Sequence, residues 1–166
     1  WIDLAIPDQL SQIARAVGIP AASNYEQATT WLVVAGSQNP PSISSTSQWV
    51  YALVTPFPTL LEGVDTDALQ LLWMGDPAHE LTTWNLWMDE STLAVFTALW
   101  GEPAPDMVKI APADTLSEIL WSSQGPVFAL IPFENLEPRW KVLKIAGQSP
   151  IAKDFDISSY PLTVTF

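Results

Sequence analysis

The sequence contains no cysteine, a single histidine and only six basic residues among its 166 positions. The absence of cysteine excludes disulfides, thiolate metal ligands and catalysis by a cysteine nucleophile. A catalytic triad or a histidine-rich zinc site would have to be built on His79, whose surroundings, DPAHEL, are typical of an exposed polar turn. We therefore predict that this chain has no catalytic residues, no metal site and no cofactor.

Positive charge is scarce, since 18 acidic residues against six basic ones give a net charge of −12. Nucleic acids and anionic membranes are recognised by clustered Lys and Arg, so we predict that the chain binds neither. Charged residues make up only 14% of the chain, against about 25% in an average globular domain. No apolar run approaches the ~20 residues of a membrane-spanning helix, and we predict no membrane insertion.

The length fits one domain or two small lobes, and the 48% of apolar residues suffice for a core. We expect a single module over residues 1–166. If it has two lobes, residues 1–54 with 140–166 form one and residues 55–139 the other. Because the sequence starts at Trp1 rather than Met, we expect it to be a piece of a longer protein, with room for a signal peptide upstream.

Residues 49–76 predict a strand, a proline-flanked loop and a helix. The run Trp49–Val54 is apolar and rich in β-branched and aromatic residues, which is typical of a strand buried on both faces. Pro56 lacks a backbone N–H and should end that strand. An apolar stripe at helical spacing follows, and Gly75 occupies the place of a left-handed helix cap. The stripe consists of Leu69, Leu72 and Trp73.

Similar patterns along the chain predict an α/β fold with a mixed, mainly parallel sheet flanked by short helices. Residues 36–48 are turn-rich and uncharged, and predict a surface loop. The other predicted strands cover residues 1–6, 30–35, 107–111, 127–131, 140–145 and 162–166, with a short one inside 77–88. Predicted helices begin at Pro7 or Asp8, Asp65 or Thr66, Asp89 or Ser91, and Asp114, with a single turn over 133–137.

Two of the nine tryptophans, Trp84 and Trp87, flank Asn85 in a segment without a clear period. Aromatic rings beside an amide can stack on a sugar or a peptide ligand. Packing between two lobes is the alternative, and the sequence leaves both open.

Three segments, in this order, resemble type 2 periplasmic binding proteins of the phosphate-binding kind. They are ALVTPFPTLLEGVDTDALQLLWMGD, similar to that family's strand, proline loop and helix; ESTLAVFTALWG, at the place of its Ser-Gly-Thr loop; and WKVLKIAGQSPIAKDFDISSYPLTVTF, similar to its return strand. More narrowly, PFPTLLEGV and IPFENLEPRWKVL resemble the binding-protein-like segment that precedes the metallophosphatase domain in bacterial poly-γ-glutamate-synthesis (CapA-type) proteins.

The resemblance implies a reduced periplasmic-binding-protein-like (type 2) domain outside the cytoplasm. It implies that the chain binds a small molecule or a cell-envelope polymer, or docks a neighbouring domain of the same chain, to which any catalysis would belong. The matching positions, carried over one by one, are Thr55, Phe57 and Thr59 in the first loop and Ser91 and Thr92 in the second. With Trp84, Asn85 and Trp87, these residues form the predicted ligand-binding set.

The sequence departs from the family pattern at the second loop. Glu90-Ser91-Thr92-Leu93 replaces Ser-Gly-Thr without its glycine, no Arg follows, and Glu90 adds an acid beside the site. The sequence therefore leaves open whether the chain is a working receptor or a vestigial binding domain. Two further alternatives are a carboxylate-based hydrolase with the tryptophans as a sugar platform, and a structural or oligomerisation module whose exposed aromatics form an interface.

Overall fold

The computed structural model describes residues 1–18, 22–36, 45–76 and 80–166, and its centre is a six-stranded sheet. The strands of this sheet are β1 (Gln48–Pro56), β3 (Asn85–Met88), β4 (Val108–Ile110), β5 (Val127–Pro132), β6 (Trp140–Val142) and β8 (Thr163–Thr165). Their order is β4-β3-β5-β1-β6, and β8 also pairs with β1. A separate parallel pair joins β2 (Gly63–Val64) to β7 (Lys144–Ile145).

Five of the six strands run in one direction, and β1 runs in the other. Strand β3 is parallel to β4 and β5, whereas β5, β6 and β8 are all antiparallel to β1. Strands β6 and β8 follow one another along the same side of β1, where the Leu143 amide donates to Leu53 and the Tyr51 amide donates to Leu162. The mixed, mainly parallel sheet is as predicted, while the reversed direction of β1 is a feature that the sequence pattern did not indicate.

The helices begin within two residues of their predicted caps. They are α1 (Asp8–Ala16), α2 (Thr66–Trp73), α3 (Glu90–Trp100) and α4 (Leu116–Ser122), and two short 3-10 turns cover Glu80–Thr83 and Phe133–Asn135. Helix α2 ends at Gly75, whose φ of 69° is the left-handed conformation expected of a glycine cap.

Side chains alternate along the strands, so the sheet has a buried core on each face. Tyr51 and Leu53 of β1 face the side covered by α2 and α3, and Ala52 and Val54 face the side covered by α4. Every residue of β5 is buried. This layering places the start of α3 directly over the end of β3.

Two predicted strands near the amino terminus are wrong. Residues 1–6 and 30–35 are joined by an isolated bridge between Ile2 and Leu32 and by a hydrogen bond from the Trp1 terminal amine to the Thr30 carbonyl, without forming strands. The side chain of Asp3 accepts the Ala5 amide at 3.0 Å, and this local turn replaces a continuous strand ladder.

The predicted strand 140–145 is divided in two. Residues up to Val142 pair with β1, after which the Lys144 amide donates to Glu62 beside β2. The change of partner splits one apolar run into β6 and β7.

The division into two lobes stays a prediction, although its boundary between residues 54 and 55 falls inside β1, where Val54, Thr55 and Pro56 all pair with β6. His79 and residues 37–44 of the predicted loop lie outside the described residues. Among the helices of the described part, none is long and apolar enough to cross a membrane.

Candidate functional site

The structure places the predicted site residues in two groups at opposite ends of the strands. We call these two ends the first and the second edge of the sheet. Val54 of β1 pairs with Ala129 of β5, and Asn85 of β3 pairs with Val127, so the carboxyl end of β1 lies beside the amino ends of β3 and β5. Helix α3 starts at the other end of β3. Thr55, Phe57, Thr59, Trp84 and Asn85 belong to the first edge, Ser91 and Thr92 to the second, and Trp87 lies within β3.

The first edge carries an open groove of about 510 Å³, which we call the Pro56 groove. Phe57 follows Pro56 in the chain and is 66% exposed. Proline and tryptophan rings make up half of its lining, and the hydroxyls of Thr59 and Ser123 add polar groups. Its lining residues are Pro56, Pro58, Thr59, Trp84, Leu120, Trp121, Ser123, Gly125, Pro126 and Val127.

The two threonines of this edge are bonded within the protein. Thr55 is fully buried, and its hydroxyl lies 2.9 Å from the Val127 carbonyl and 3.0 Å from the Thr59 hydroxyl. The Thr59 carbonyl accepts a hydrogen bond from Lys141, which also forms an ion pair with Glu62. These bonds tie the loop after β1 to β5 and β6, which gives Thr55 and Thr59 a structural role whether or not a ligand binds nearby.

The aromatic rings around Asn85 pack against other side chains, while the buried indole N–H of Trp87 has no hydrogen-bond partner among the described residues. The ring of Trp84 stacks on Phe128 at 4.2 Å between centroids, and the ammonium of Lys109 lies 5.6 Å from the centre of the Trp87 ring. The backbone amide of Asn85 donates to Pro126. Of this trio, only Trp84 borders the Pro56 groove.

The second edge is built around the start of α3. Asp89 caps this helix, since its Oδ1 accepts hydrogen bonds from the Thr92 amide at 2.7 Å and from the Ser91 hydroxyl at 3.0 Å. Thr92 is fully buried, and its hydroxyl has no hydrogen-bond partner among the residues that the structure describes. The start of α3 therefore combines a carboxylate that already accepts hydrogen bonds with a buried hydroxyl that makes none.

Tyr51 reaches the same place from β1. Its ring meets Phe96 of α3 edge-on at 5.2 Å, it is fully buried, and its hydroxyl also lacks a partner. Burial raises the pKa of Tyr51 well above its usual range, and the negative charges of Asp89 and Glu134 raise it further. Tyr51 pairs with Pro132, and the Trp49 indole on the same face of β1 donates to Glu134, so the phenol and Glu134 lie at the edge of the sheet where Asp89 follows β3.

Glu134 follows β5 and is half-buried beside this region. Burial raises the pKa of Glu134, and the charge of Asp89 adds to the increase. Two hydrogen bonds to the carboxylate work against it, one from the backbone amide of Glu134 itself and one from the Trp49 indole, which donates to Oε1 at 2.5 Å. We refer to these groups together as the α3 cluster. It consists of Tyr51, Asp89, Ser91, Thr92 and Glu134.

Sequence reasoning identified Ser91 and Thr92 in this cluster but missed Tyr51 and Glu134. Tyr51 lies in an apolar run and has the pattern of a core residue, while Glu134 lies in the short turn after Pro132. Burying an unpaired hydroxyl costs about 1–3 kcal/mol. Thr92 lies one helical turn before Phe96, which contacts Tyr51, so two of the five unpaired buried polar groups in the described part of the chain fall beside one face of α3. Within the described ranges, no group of three or more acidic or histidine side chains is placed to hold a metal ion.

No protein-family model matches the sequence, and no curated protein matches it either. Solved structures match by fold. A phosphate transport receptor of the ABC type from Vibrio cholerae has a TM-score of 0.58 at 12% identity, over 75% of this chain and 59% of its own. A candidate phosphate ABC transporter substrate-binding protein from Clostridium perfringens, solved with bound phosphate, has a TM-score of 0.53 at 12% identity, over 73% and 56%.

A third structure, a candidate phosphate-binding protein from Planctomyces limnophilus, has a TM-score of 0.52 at 14% identity and covers 97% of this chain and 60% of its own. The match thus spans less than two thirds of each of these proteins. The chain has a periplasmic-binding-protein-like α/β fold, of the type 2 class to which these substrate-binding proteins belong.

Proposed function

We propose that this chain is a non-catalytic, solute-binding domain of a larger extracytoplasmic bacterial protein, and that its site is the α3 cluster. The solute would be a small molecule or a polymer of the cell envelope. The observation that carries the proposal is the pair of fully buried hydroxyls, Tyr51 and Thr92, that have no partner in the part of the protein that the structure describes. They lie at the carboxyl end of β3, the edge at which open α/β sheets bind ligands.

Fold and chemistry support this proposal together. The structural neighbours are described as transport receptors and binding proteins, not as enzymes. The cluster offers two hydroxyl donors from Tyr51 and Thr92 and carboxylate acceptors from Asp89 and Glu134, which suits recognition of a polar solute. Its other member, Ser91, is already bonded to Asp89.

The wider context follows from the resemblance of PFPTLLEGV and IPFENLEPRWKVL to CapA-type proteins. In that context the chain would dock against a neighbouring metallophosphatase domain of the same polypeptide, and that neighbour would carry any metal-dependent chemistry. The Pro56 groove, with Phe57 exposed at its side, is a second surface available to a partner or ligand. Ligand binding stays a prediction for the six remaining residues of the predicted set, which are Thr55, Phe57, Thr59, Trp84, Asn85 and Trp87.

A ligand panel tests the proposal through linkage, because a solute that binds only the folded state raises the unfolding temperature. The panel contains inorganic phosphate, amines, sugars and amino acids. We expect at least one solute to raise the melting temperature of the wild type, and Thr92→Val to abolish that increase. Thr97→Val, on the same helix but outside the cluster, is the matched control and should retain it. No increase with any solute would contradict the proposal.

A carboxylate-based hydrolase is the second candidate, and one observation favours it. Burial and the negative charge of Asp89 raise the pKa of Glu134, and glycoside hydrolysis uses a carboxyl group with a raised pKa together with a second carboxylate. The capping bonds of Asp89 argue against a free second carboxylate. Hydrolysis of glycan substrates that disappears in Glu134→Gln would support this candidate over the first.

A further inference from the structure

The α3 cluster offers a ligand more hydrogen-bond acceptors than donors. Each carboxylate has about four acceptor positions. Asp89 accepts from Thr92 and Ser91, and Glu134 accepts from the Trp49 indole and from its own backbone amide, so each carboxylate keeps acceptor positions for a ligand. The donors not already used are the two hydroxyls of Tyr51 and Thr92, and each hydroxyl can also accept.

Positive charge does not balance these acids. All six Lys and Arg residues lie in the described part of the chain, and none of them forms an ion pair with Asp89 or Glu134. Arg139, five positions after Glu134, pairs with Glu137 instead. An anionic solute would have to enter against two carboxylates, in a protein whose net charge is already −12.

The start of α3 does little to offset this repulsion. A helix N-terminus attracts anions through its free amides and its dipole. Here the carboxylate of Asp89 caps the helix and takes the Thr92 amide, so the positive end of the dipole already has its negative partner. One of the amides that could favour a phosphate at this edge is therefore occupied, and the carboxylate that occupies it adds a negative charge beside the others.

We infer that the solute of the α3 cluster carries a protonated amine, which donates hydrogen bonds to Asp89 and Glu134. No Lys or Arg residue of the protein takes part in this binding. The inference rests on the proposed function and names the class of its solute. An ammonium group has three donors and no acceptor, which matches the surplus of carboxylate oxygens. Trp49 holds Glu134 in position, and the ammonium would complete the charge pairing that the chain itself lacks.

Calorimetric titration at low salt tests the inference with three probes of related size. Putrescine is the amine, butane-1,4-diol is its uncharged analogue, and inorganic phosphate is the anion. Asp89→Asn and Glu134→Gln each remove one charge, and the asparagine remains an effective helix cap. Glu137→Gln removes a charge three positions from Glu134 and is the matched control. Loss of one charge-assisted hydrogen bond is expected to weaken binding about tenfold or more.

We expect putrescine to bind the wild type and Glu137→Gln with similar affinity, both cluster variants to bind it about tenfold or more weakly, and the diol and phosphate not to bind. Binding of phosphate in place of putrescine would overturn the inference and leave the proposed function intact. Putrescine binding that neither cluster variant weakens would reveal attraction to the acidic surface, and would also overturn it. If a solute other than an amine binds and putrescine does not, the inference is wrong but the proposed function stands. If no solute of the panel binds, both the inference and the proposed function are wrong.

Discussion

The carboxylate of Asp89 and the backbone amide of Thr92 are joined by a 2.7 Å hydrogen bond that fixes the start of α3 over the end of β3. The same oxygen accepts from the Ser91 hydroxyl. The bond orients the first turn of α3, where Thr92 lies one turn before Phe96, the residue whose ring contacts Tyr51. Asp89 thus contributes both to the stability of α3 and to the geometry of the α3 cluster.

The first prediction separates these two contributions. Asp89→Ala removes the helix cap and should lower the free energy of unfolding by about 1 kcal/mol, within a range of roughly 0.5–2 kcal/mol. Asp89→Asn retains a capping oxygen and should stay close to the wild type. Urea unfolding of the three proteins measures the difference. Equal losses in both variants would show that the charge, and not the cap, is what α3 requires.

The second prediction concerns the unpaired hydroxyl of Tyr51. Tyr51→Phe keeps the edge-on contact with Phe96 and removes a buried group without a partner, so stability should be unchanged or rise by up to about 1 kcal/mol. Affinity for any solute of the α3 cluster should fall. A loss of stability of about 2 kcal/mol would mean that the hydroxyl has a protein partner after all.

The third prediction is a pH dependence caused by Glu134. Its pKa is raised above 4.5 in the folded protein, so folded Glu134 keeps a proton over a range in which the unfolded chain has released it. The contribution of Glu134 to stability therefore falls as the pH rises from about 4.5 through the raised pKa. Glu134→Gln removes this decline, and its stability relative to the wild type should increase with pH across that window.

Denaturant unfolding of both proteins between about pH 4 and about pH 7 measures this difference. Two other carboxylates affect the pH dependence of stability in the opposite direction. The bond to Lys141 lowers the pKa of Glu62, and the bonds to Ser158 and Ser159 lower the pKa of Asp156. Their contributions are lost as the pH falls, but they are common to both proteins and cancel in the comparison. A difference between wild type and Glu134→Gln that does not change with pH would contradict the prediction.

Sequence reasoning succeeded where a pattern is local. The apolar run of β1, the Asp89 cap of α3 and the glycine end of α2 each depend on residues that are neighbours in the chain. It failed for residues 1–6, because an apolar run does not show whether a partner strand is in reach, and here Asp3 closes a turn instead. Whether a strand forms is a property of its neighbours as much as of its own residues.

The site was predictable only in part for the same reason. Ser91 and Thr92 lie at a helix start that the sequence shows directly. The predicted ligand-binding set combines Thr55 and Phe57 after β1 with Ser91 and Thr92 after β3. The ends of β1 and β3 meet at one edge only if both strands run in the same direction. The pairing of β1 with β5 is antiparallel and moves Thr55 and Phe57 to the opposite edge. The positions of Tyr51 and Glu134 depend on three strands coming together, which no local pattern reports.

The fourth prediction compares two glycines that follow helices. Gly75 and Gly18 have φ values of 69° and 80°, so an alanine at either position adopts an unfavourable left-handed backbone, at a cost of about 1 kcal/mol. A Cβ at Gly75 would also lie 2.8 Å from the Ala104 Cβ, whereas a Cβ at Gly18 would meet nothing within 4 Å. Gly75→Ala should therefore be more destabilising than Gly18→Ala by about 1 kcal/mol or more in urea unfolding. Equal losses would show that the Ala104 loop moves aside freely.

The fifth prediction tests whether Thr55 is a structural residue or a ligand-binding one. Its hydroxyl is fully buried and bonded to Val127, so Thr55→Val should leave that carbonyl short of a partner and lower the free energy of unfolding by about 1–3 kcal/mol. Thr59→Val loses the bond between the two hydroxyls at a more exposed position, and should cost about 1 kcal/mol or less. Solute affinity at the α3 cluster, at the other edge of the sheet, should not change in either variant. If Thr55→Val instead weakened solute binding while leaving urea unfolding unaltered, the Pro56 groove and not the α3 cluster would be the place where this domain meets its ligand.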